Sequence, residues 1–339
     1  MAETTLKEIA QRLGISITTV SKALKNYTDV SPKTKAAVLE LAQKLHYSPN
    51  SFAVNLRTKE SKTIGLIIPT VVHHFFSSVI EGILEEAEKR DYLVIILQSN
   101  EKYELEKKQV GLLLNKRVDG ILISLTNETA EFEHLNSILE HKTSLVLFDK
   151  IAKIVKCSKV IIDDRKASYN AVSFLIKKGY KKIAHFRGSY TPQNAIDRFL
   201  GYKKALEDHG LSYNPNLVFL CDTNQDLNDA YENARKIVAE NIEVDAIFAV
   251  SDLVAMGAMK YFKEVGVEIP NQIAIFGFSN WYVTELISPK LTTVDQPGFE
   301  MGKQTAALLF DEINQKKKNL PIDIRTIILE TTIVEREST

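Results

Sequence analysis

The chain has 339 residues, 45% hydrophobic and 25% charged, with 43 Lys and Arg against 43 Asp and Glu. These proportions are those of a soluble globular chain with room for two or three domains. No apolar run approaches the roughly 18 residues that span a bilayer, and the start MAETTLKEIA lacks the basic-then-apolar order of an export signal, so a cytoplasmic protein without membrane contact is expected. The zero net charge hides an asymmetry. Residues 1–60 hold nine Lys and Arg against five acids, and the remainder carries the opposite surplus. A small basic module on a larger acidic body suggests a polyanionic partner, although surplus lysine also coats ordinary surfaces. In chain order, TLKEIAQRLG has Thr5 and Glu8 in capping-box spacing, Leu6, Ile9, Ala10 and Leu13 on one face, and a stop at Gly14. SITTVSKALKN follows, with Ser16 as cap, Val20 and Leu24 inward, and Ile17, Thr18, Ser21 and Lys22 outward. Ser31 and Pro32 start a third helix that packs Val38, Leu41, Ala42 and Leu45.

Two short helices joined at a glycine and braced by a third predict a helix-turn-helix unit. The plain alternative is a generic three-helix bundle. It leaves unexplained an outer face of small hydroxyls, one Ile and one Lys, groups suited to base edges and thymine methyls in a major groove. PNSFAVNLRTKES, residues 49–61, then carries Phe52, Ala53 and Leu56 at helical spacing on a segment too short to fold alone.

From Lys62 the chain alternates β runs with amphipathic helices: TIGLIIP, YLVIILQS, GILISL, SLVLFD, then KKIAHFRG, LVFLCD, DAIFAVSD and IAIFGF. This predicts parallel sheets covered on both faces, in two consecutive blocks of roughly 62–162 and 163–292. Ligands bind outside the carboxyl ends of such strands. The polar and aromatic residues gather there: Pro69 to Phe76, Ser99, Asn100, Asp149, Arg198, Asp222, Ser251, Asp252, Ser279 to Trp281, and Gln296. Strand-end capping or inter-lobe pairing would explain any one of them singly.

Enzyme motifs are missing: there is no phosphate-cradling glycine loop, no GxSxG elbow and no zinc pattern, so no catalytic residue and no cofactor is assigned. Asp163 and Asp164 read as caps of the following helix. His73 and His74 are adjacent without a third ligand, so no metal is assigned either, and Cys157 and Cys221 read as buried reduced thiols.

The stretches TLKEIAQRLGISITTVSKALKN, VSPKTKAAVLELAQKLHYSPNSFAVNLRTKESKTIGLIIP, GYKKALEDHGL, SDLVAMGAMKYFKEVGVEIPNQIAIFGF and SPKLTTVDQP closely resemble the LacI/GalR family of bacterial transcription regulators, nearly end to end. The resemblance implies a DNA-reading head at 1–48, a hinge helix at 49–61 and a dimerising, effector-binding core at 62–339. That core would be bilobal and periplasmic-binding-protein-like, with LTTVDQP to about residue 325 returning to the first lobe and 326–339 to the second. Ile17, Thr18 and Lys22 fall where the family reads bases, Lys22 standing in place of the more usual Arg. The DNA-facing set is then Thr5, Ser16, Ile17, Thr18, Thr19, Ser21, Lys22 and Asn26 in the head, with Asn50, Ala53, Asn55, Leu56 and Arg57 in the hinge. Leu56 aligns with the leucine that wedges between base pairs when the hinge folds on DNA.

For the effector, the resemblance places His73, Phe75, Phe76, Asp149, Arg198, Ser251, Ser279 and Gln296 at the cleft. Trp281 offers a ring face, and Asp252 sits beside Ser251. Carboxylate, guanidinium and amide groups near aromatic faces suit saccharides. Ser279 replaces the family's usual Asp, and the loop Asp222–Gln225 lacks an aromatic that some members stack on ligand. With Arg198 supplying charge, an acidic or phosphorylated sugar is expected to be tolerated. The function expected is a repressor, controlled by a saccharide, binding a pseudo-palindromic operator as a homodimer, with a tetramer left open. Other readings are response to a nucleobase or phosphoprotein corepressor, and DNA binding without ligand control.

Overall fold

The computed structural model describes residues 5–45, 47, 60–221 and 226–339. The hinge positions Asn50, Ala53, Asn55, Leu56 and Arg57, and the loop Asp222–Gln225, lie outside the described residues. The contacts divide the chain into a head, up to Ser61, and a core from Lys62.

The head is built by local signals. Helix α1 (Leu6–Leu13) starts where Thr5 Oγ1 accepts the Glu8 N–H at 3.3 Å and stops at Gly14, whose φ of +63° only glycine adopts freely. The Glu8 side chain turns to Arg12 (2.6 Å), so the box closes from one side only. Helix α2 (Ile17–Leu24) is capped by Ser16 and α3 (Pro32–Lys44) by Ser31, with Pro32 in its first turn. Ile9, Val20 and Val38 are fully buried and Ala10, Ala23 and Ala42 nearly so, which brings the three helices together through small and branched side chains. Ala23, one residue before the expected Leu24, is the more deeply buried; Leu24 packs at the margin.

In the core, the first lobe runs β1 (Thr63–Ile68), α4 (His74–Glu88), β2 (Leu93–Gln98), α5 (Tyr103–Asn115), β3 (Gly120–Ile123), α6 (Glu133–Glu140), β4 (Ser144–Phe148) and β5 (Ser158–Ile162). The second runs α7 (Asp164–Lys177), β6 (Ile183–Arg187), α8 (Gln193–Asp208), β7 (Val218–Leu220), α9 (Asp226–Ala239), β8 (Ala246–Ala249), α10 (Asp252–Glu264), β9 (Ala274–Ser279) and β10 (Thr292–Asp295). The chain closes with α11 (Gly298–Lys317), β11 (Thr326–Leu329) and β12 (Thr332–Val334). Two six-stranded sheets result, in the orders β11-β5-β4-β3-β1-β2 and β12-β10-β9-β8-β6-β7. All pairings are parallel except that of β12 with β10.

The uninterrupted apolar strands follow from burial on both faces. Ile64, Leu66 and Ile68 point to one face of β1, and Ile67 to the other, with Leu113, Ile121 and Leu145. Helices α4 and α11 cross backbone to backbone: a Cβ on Gly302 would stand 2.0 Å from the Val79 carbonyl oxygen, and one on Gly82 2.1 Å from that of Phe299. No side chain fits there, so the crossing demands glycine on both helices.

The lobe boundaries differ from those expected. Strand β10 stays in the second sheet, with Thr292 opposite Phe276, and β11 joins the first, with Thr326 opposite Lys159. The chain therefore changes lobes after β5, between Asp295 and Gly298, and between Leu329 and Thr332. The reason is packing. Val294 is fully buried, and Ile327 and Leu329 lean on the core from an edge strand. An apolar run records that a strand is covered, not which sheet covers it.

Candidate DNA-reading head and effector cleft

On α2, Ile17 is 48% exposed and Thr18 is exposed beside it, whereas Thr19, Ser21 and Lys22 are half-buried. Ser16 Oγ accepts the Thr19 N–H at 3.0 Å and lies 2.8 Å from Thr19 Oγ1, so both hydroxyls hold the helix start. Lys22 is paired with Asp29, whose carboxyl it keeps below its usual range. To reach a base the ammonium must exchange that partner. Asn26 holds a left-handed turn (φ 58°) and accepts from Lys35 Nζ at 2.9 Å. Thr5 likewise serves as a cap. Because one N-cap side chain contributes about 1 kcal/mol, Ser16→Ala should lower operator affinity roughly 5-fold and speed amide exchange in α2. Unchanged exchange would show that the cap is dispensable.

In the core, the carboxyl ends of the strands surround a cavity of about 680 Å³ between the lobes. His73, Phe75, Phe76, Asp149, Arg198, Ser251, Ser279, Trp281 and Gln296 all line it. Asp149, after β4, has φ +54° and is 8% exposed. Its protein hydrogen bonds are long: 3.3 Å from Gln296 Nε2, 3.4 Å from Asn194 Nδ2 and 3.4 Å from Ser124 Oγ. Much of its acceptor capacity is therefore open to a ligand.

Arg198 is more constrained. Its Nε donates to Asp164 Oδ1 at 2.8 Å and its Nη1 to the Val250 carbonyl at 2.7 Å, with the guanidinium 3.6 Å above the Phe278 ring. Burial raises the Asp164 carboxyl to about 7 against the opposing pull of the neighbouring guanidinium. Of the expected pair of caps, Asp163 alone caps α7, accepting the Lys166 N–H at 2.9 Å. The expectation that Arg198 supplies charge to an acidic sugar is thus corrected: its charge is spent on Asp164.

Asp252, unlike its neighbour Ser251, does not line the cavity. It lies beneath, 2% exposed, accepting the Trp281 N–H at 2.7 Å and the Thr293 hydroxyl at 2.6 Å, with its pKa raised to about 6 by burial. Ser251 caps α10 through the Val254 N–H. Asp252 fixes a strained turn in which Ser279 (φ 122°) and Asn280 (φ 56°) are both left-handed. Asn280 is held further by Asp295 (2.7 Å) and Arg336 (2.9 Å). The turn presents Ser279 and Trp281 to the cavity, and Ser279 Oγ lies 3.5 Å from Gln296 Oε1.

Glu101, Asn127, Lys150 and Asn194 also line the cleft and were not singled out from the sequence. Lys150 Nζ reaches Glu101 Oε1 and Asn127 Oδ1, each at 2.6 Å, so this cation too is neutralised. For Glu101, Asn127 and Lys150 the place just past a strand end was the available signal, whereas Asn194 lies in the first turn of α8. At the mouth, His74 of α4 stacks 6.5 Å from Trp281 and meets Tyr282 edge-on at 5.6 Å, joining the lobes. Burial lowers the His73 pKa to about 4, so the ring is neutral, and its Nδ1 has no partner among the described residues.

A head of this kind with a two-lobed core around a polar and aromatic cleft defines a ligand-binding, DNA-reading regulator. Residues 5–50 match the family model of bacterial regulatory proteins of the lacI family, and residues 61–328 that of periplasmic binding proteins and the sugar binding domain of the LacI family. The chain belongs to the LacI family of bacterial transcriptional regulators and is a DNA-binding regulator with an effector-binding core. It is 32% identical over 337 residues, 99% of each chain, to the HTH-type transcriptional regulator RegA of Clostridium saccharobutylicum. It is 30% identical over 340 residues, 98% of each, to the HTH-type transcriptional repressor PurR of Vibrio atlanticus. A solved complex of the transcriptional regulator CelR with cellobiose superposes with a TM-score of 0.75 at 25% identity, covering 99% of this chain and 100% of that one. No helix among the described residues is long and apolar enough to cross a membrane.

Proposed function

We propose that the chain is a cytoplasmic repressor that binds a pseudo-palindromic operator as a homodimer and is controlled by a neutral saccharide in the inter-lobe cavity. The observation that carries the ligand reading is the cavity wall. Asp149, Asn127, Asn194 and Gln296 offer hydroxyl partners, Phe75, Phe76 and Trp281 offer ring faces, and both cations, Arg198 and Lys150, are already paired. CelR, the relative solved with cellobiose, supports a saccharide; PurR, named a repressor, supports repression. The dimer reading rests on the open edge of the first sheet. There Leu93 (64% exposed) and Ile96 lie on the edge strand β2, and Leu84 on α4 and Leu112 on α5 are exposed in the same lobe. No catalytic role is assigned.

Titration calorimetry with neutral and acidic saccharides, each repeated as operator release or retention, tests the ligand. Tight binding of acidic sugars only, with neutral ones inert, would overturn it. On DNA, footprinting should show two symmetric half-sites. Affinity should fall by roughly 10³–10⁵ between about 50 and 200 mM salt if 6–10 phosphates are contacted. One asymmetric site contradicts the dimer, and indifference to salt contradicts the phosphate contacts.

A further inference from the structure

Arg187, the last residue of β6, is 6% exposed, yet among the described residues no carboxylate pairs with it. Its Nε donates to the Gly188 carbonyl at 3.1 Å, and among the described residues nothing accepts from its other N–H groups. The ring of Tyr190 covers one side of the guanidinium at 4.1 Å and that of Phe199 approaches at 4.7 Å. The ionisable groups that face it are the Tyr190 and Tyr213 hydroxyls and the His185 ring, which burial keeps neutral. The other buried arginines differ. Arg198 has Asp164 and Arg336 has Glu285.

Stacking on aromatic rings engages the faces of a guanidinium and leaves its in-plane fork for a planar or tetrahedral oxyanion. A buried cation without a counter-charge destabilises the fold unless something supplies one. Tyr190, the cover, is 63% exposed, so only a surface ring separates the fork from solvent. Gly188 and Ser189, the next residues, line the saccharide cavity, whereas Arg187 does not.

We propose that Arg187, between Tyr190 and Phe199, is an oxyanion-binding residue of the second lobe, taking a carboxylate or phosphate group at the rim of the cleft. The group arrives as an anion of its own and not on the neutral saccharide of the cleft. The inference does not depend on which neutral saccharide the cavity takes.

The test follows the thermal midpoint of the full-length protein in low-chloride buffer against inorganic phosphate, glucuronate and, as neutral control, glucose. It is run on wild type, Arg187→Met and Arg187→Lys. Phosphate or glucuronate should raise the wild-type midpoint saturably, and Arg187→Met should abolish that rise while unfolding higher than wild type in anion-free buffer. A response to phosphate identifies a phosphate site, and one to glucuronate alone a carboxylate site. Nitrogen-detected guanidinium spectra supply a second readout should Arg187→Met fold poorly: the resonance missing from Arg187→Lys should shift on titration. If neither anion stabilises wild type, if Arg187→Met responds equally, or if that resonance stays put, Arg187 is a packing residue and the site does not exist.

Discussion

Arg198→Ala should unfold at a midpoint lower by roughly 6–20 °C, because stranding a buried charge after removing its partner costs about 3–5 kcal/mol and each kcal/mol moves a domain of this size by about 2–4 °C. Asp164 is the stranded group, with its side chain 8% exposed and its only described cationic partner gone. The loss should depend on pH in a definite sense. Burial already raises the Asp164 pKa to about 7 in the folded protein, and removing the guanidinium raises it further. A carboxyl raised on folding favours the folded state fully below its unfolded pKa and loses that advantage as pH rises through the folded value. The variant should therefore come nearest to wild type near pH 5 and fall further behind it as pH rises through about 7 and above. Asp164→Asn in the same background should recover much of the loss, since the amide needs no counter-charge. Thermal melts across that range decide it, and a deficit independent of pH would mean that Arg198 acts through its packing on Phe278.

How legible these features were in the sequence depended on how local their causes are. Thr5, Ser16 and Ser31 each cap through a backbone N–H three residues away, so the head's helices could be placed from side-chain type and spacing. The alternating β and α runs announced covered parallel sheets, but β10 and β11 went to the opposite sheets because partner choice is a property of distant strands. The cleft behaved alike. Polar residues past strand ends marked its position, and most of those described line it, with Ser99, Asp252 and Asn280 the exceptions. Which of two neighbours faces inward was not written in the chain: in Ser251-Asp252 the helix start turns the carboxylate down to Trp281 and Thr293, and in Asp163-Asp164 it sends the second carboxylate to Arg198. Lys150, Glu101 and Asn127 come from three separate loops whose convergence exists only in the fold. Arg187 is ordinary in sequence, and the lack of a counter-charge among the described residues makes it unusual.

Asp149→Ala should abolish saccharide control while sparing operator binding by the unliganded protein. A carboxylate that accepts two ligand hydroxyls contributes about 1.5–3 kcal/mol through each charge-assisted bond, so the saccharide bound by wild type should be held on the order of 10²–10⁴-fold more weakly. The long bonds from Gln296, Asn194 and Ser124 are the reason to expect so large an effect: at 3.3–3.4 Å they satisfy the carboxylate poorly, leaving its lone pairs for a ligand. Backbone strain has to be separated from this loss. Asp149 sits at φ +54°, a conformation that Asn tolerates nearly as well as Asp and Ala tolerates less. Asp149→Asn therefore keeps the turn and its shape while removing the charge, and should lose most of the affinity that Asp149→Ala loses. Calorimetry with that saccharide, alongside operator titration without it, separates the two. If Asp149→Asn holds the saccharide within about threefold of wild type, the carboxylate does not grip the ligand, and the effector is recognised instead by the amides and ring faces around it.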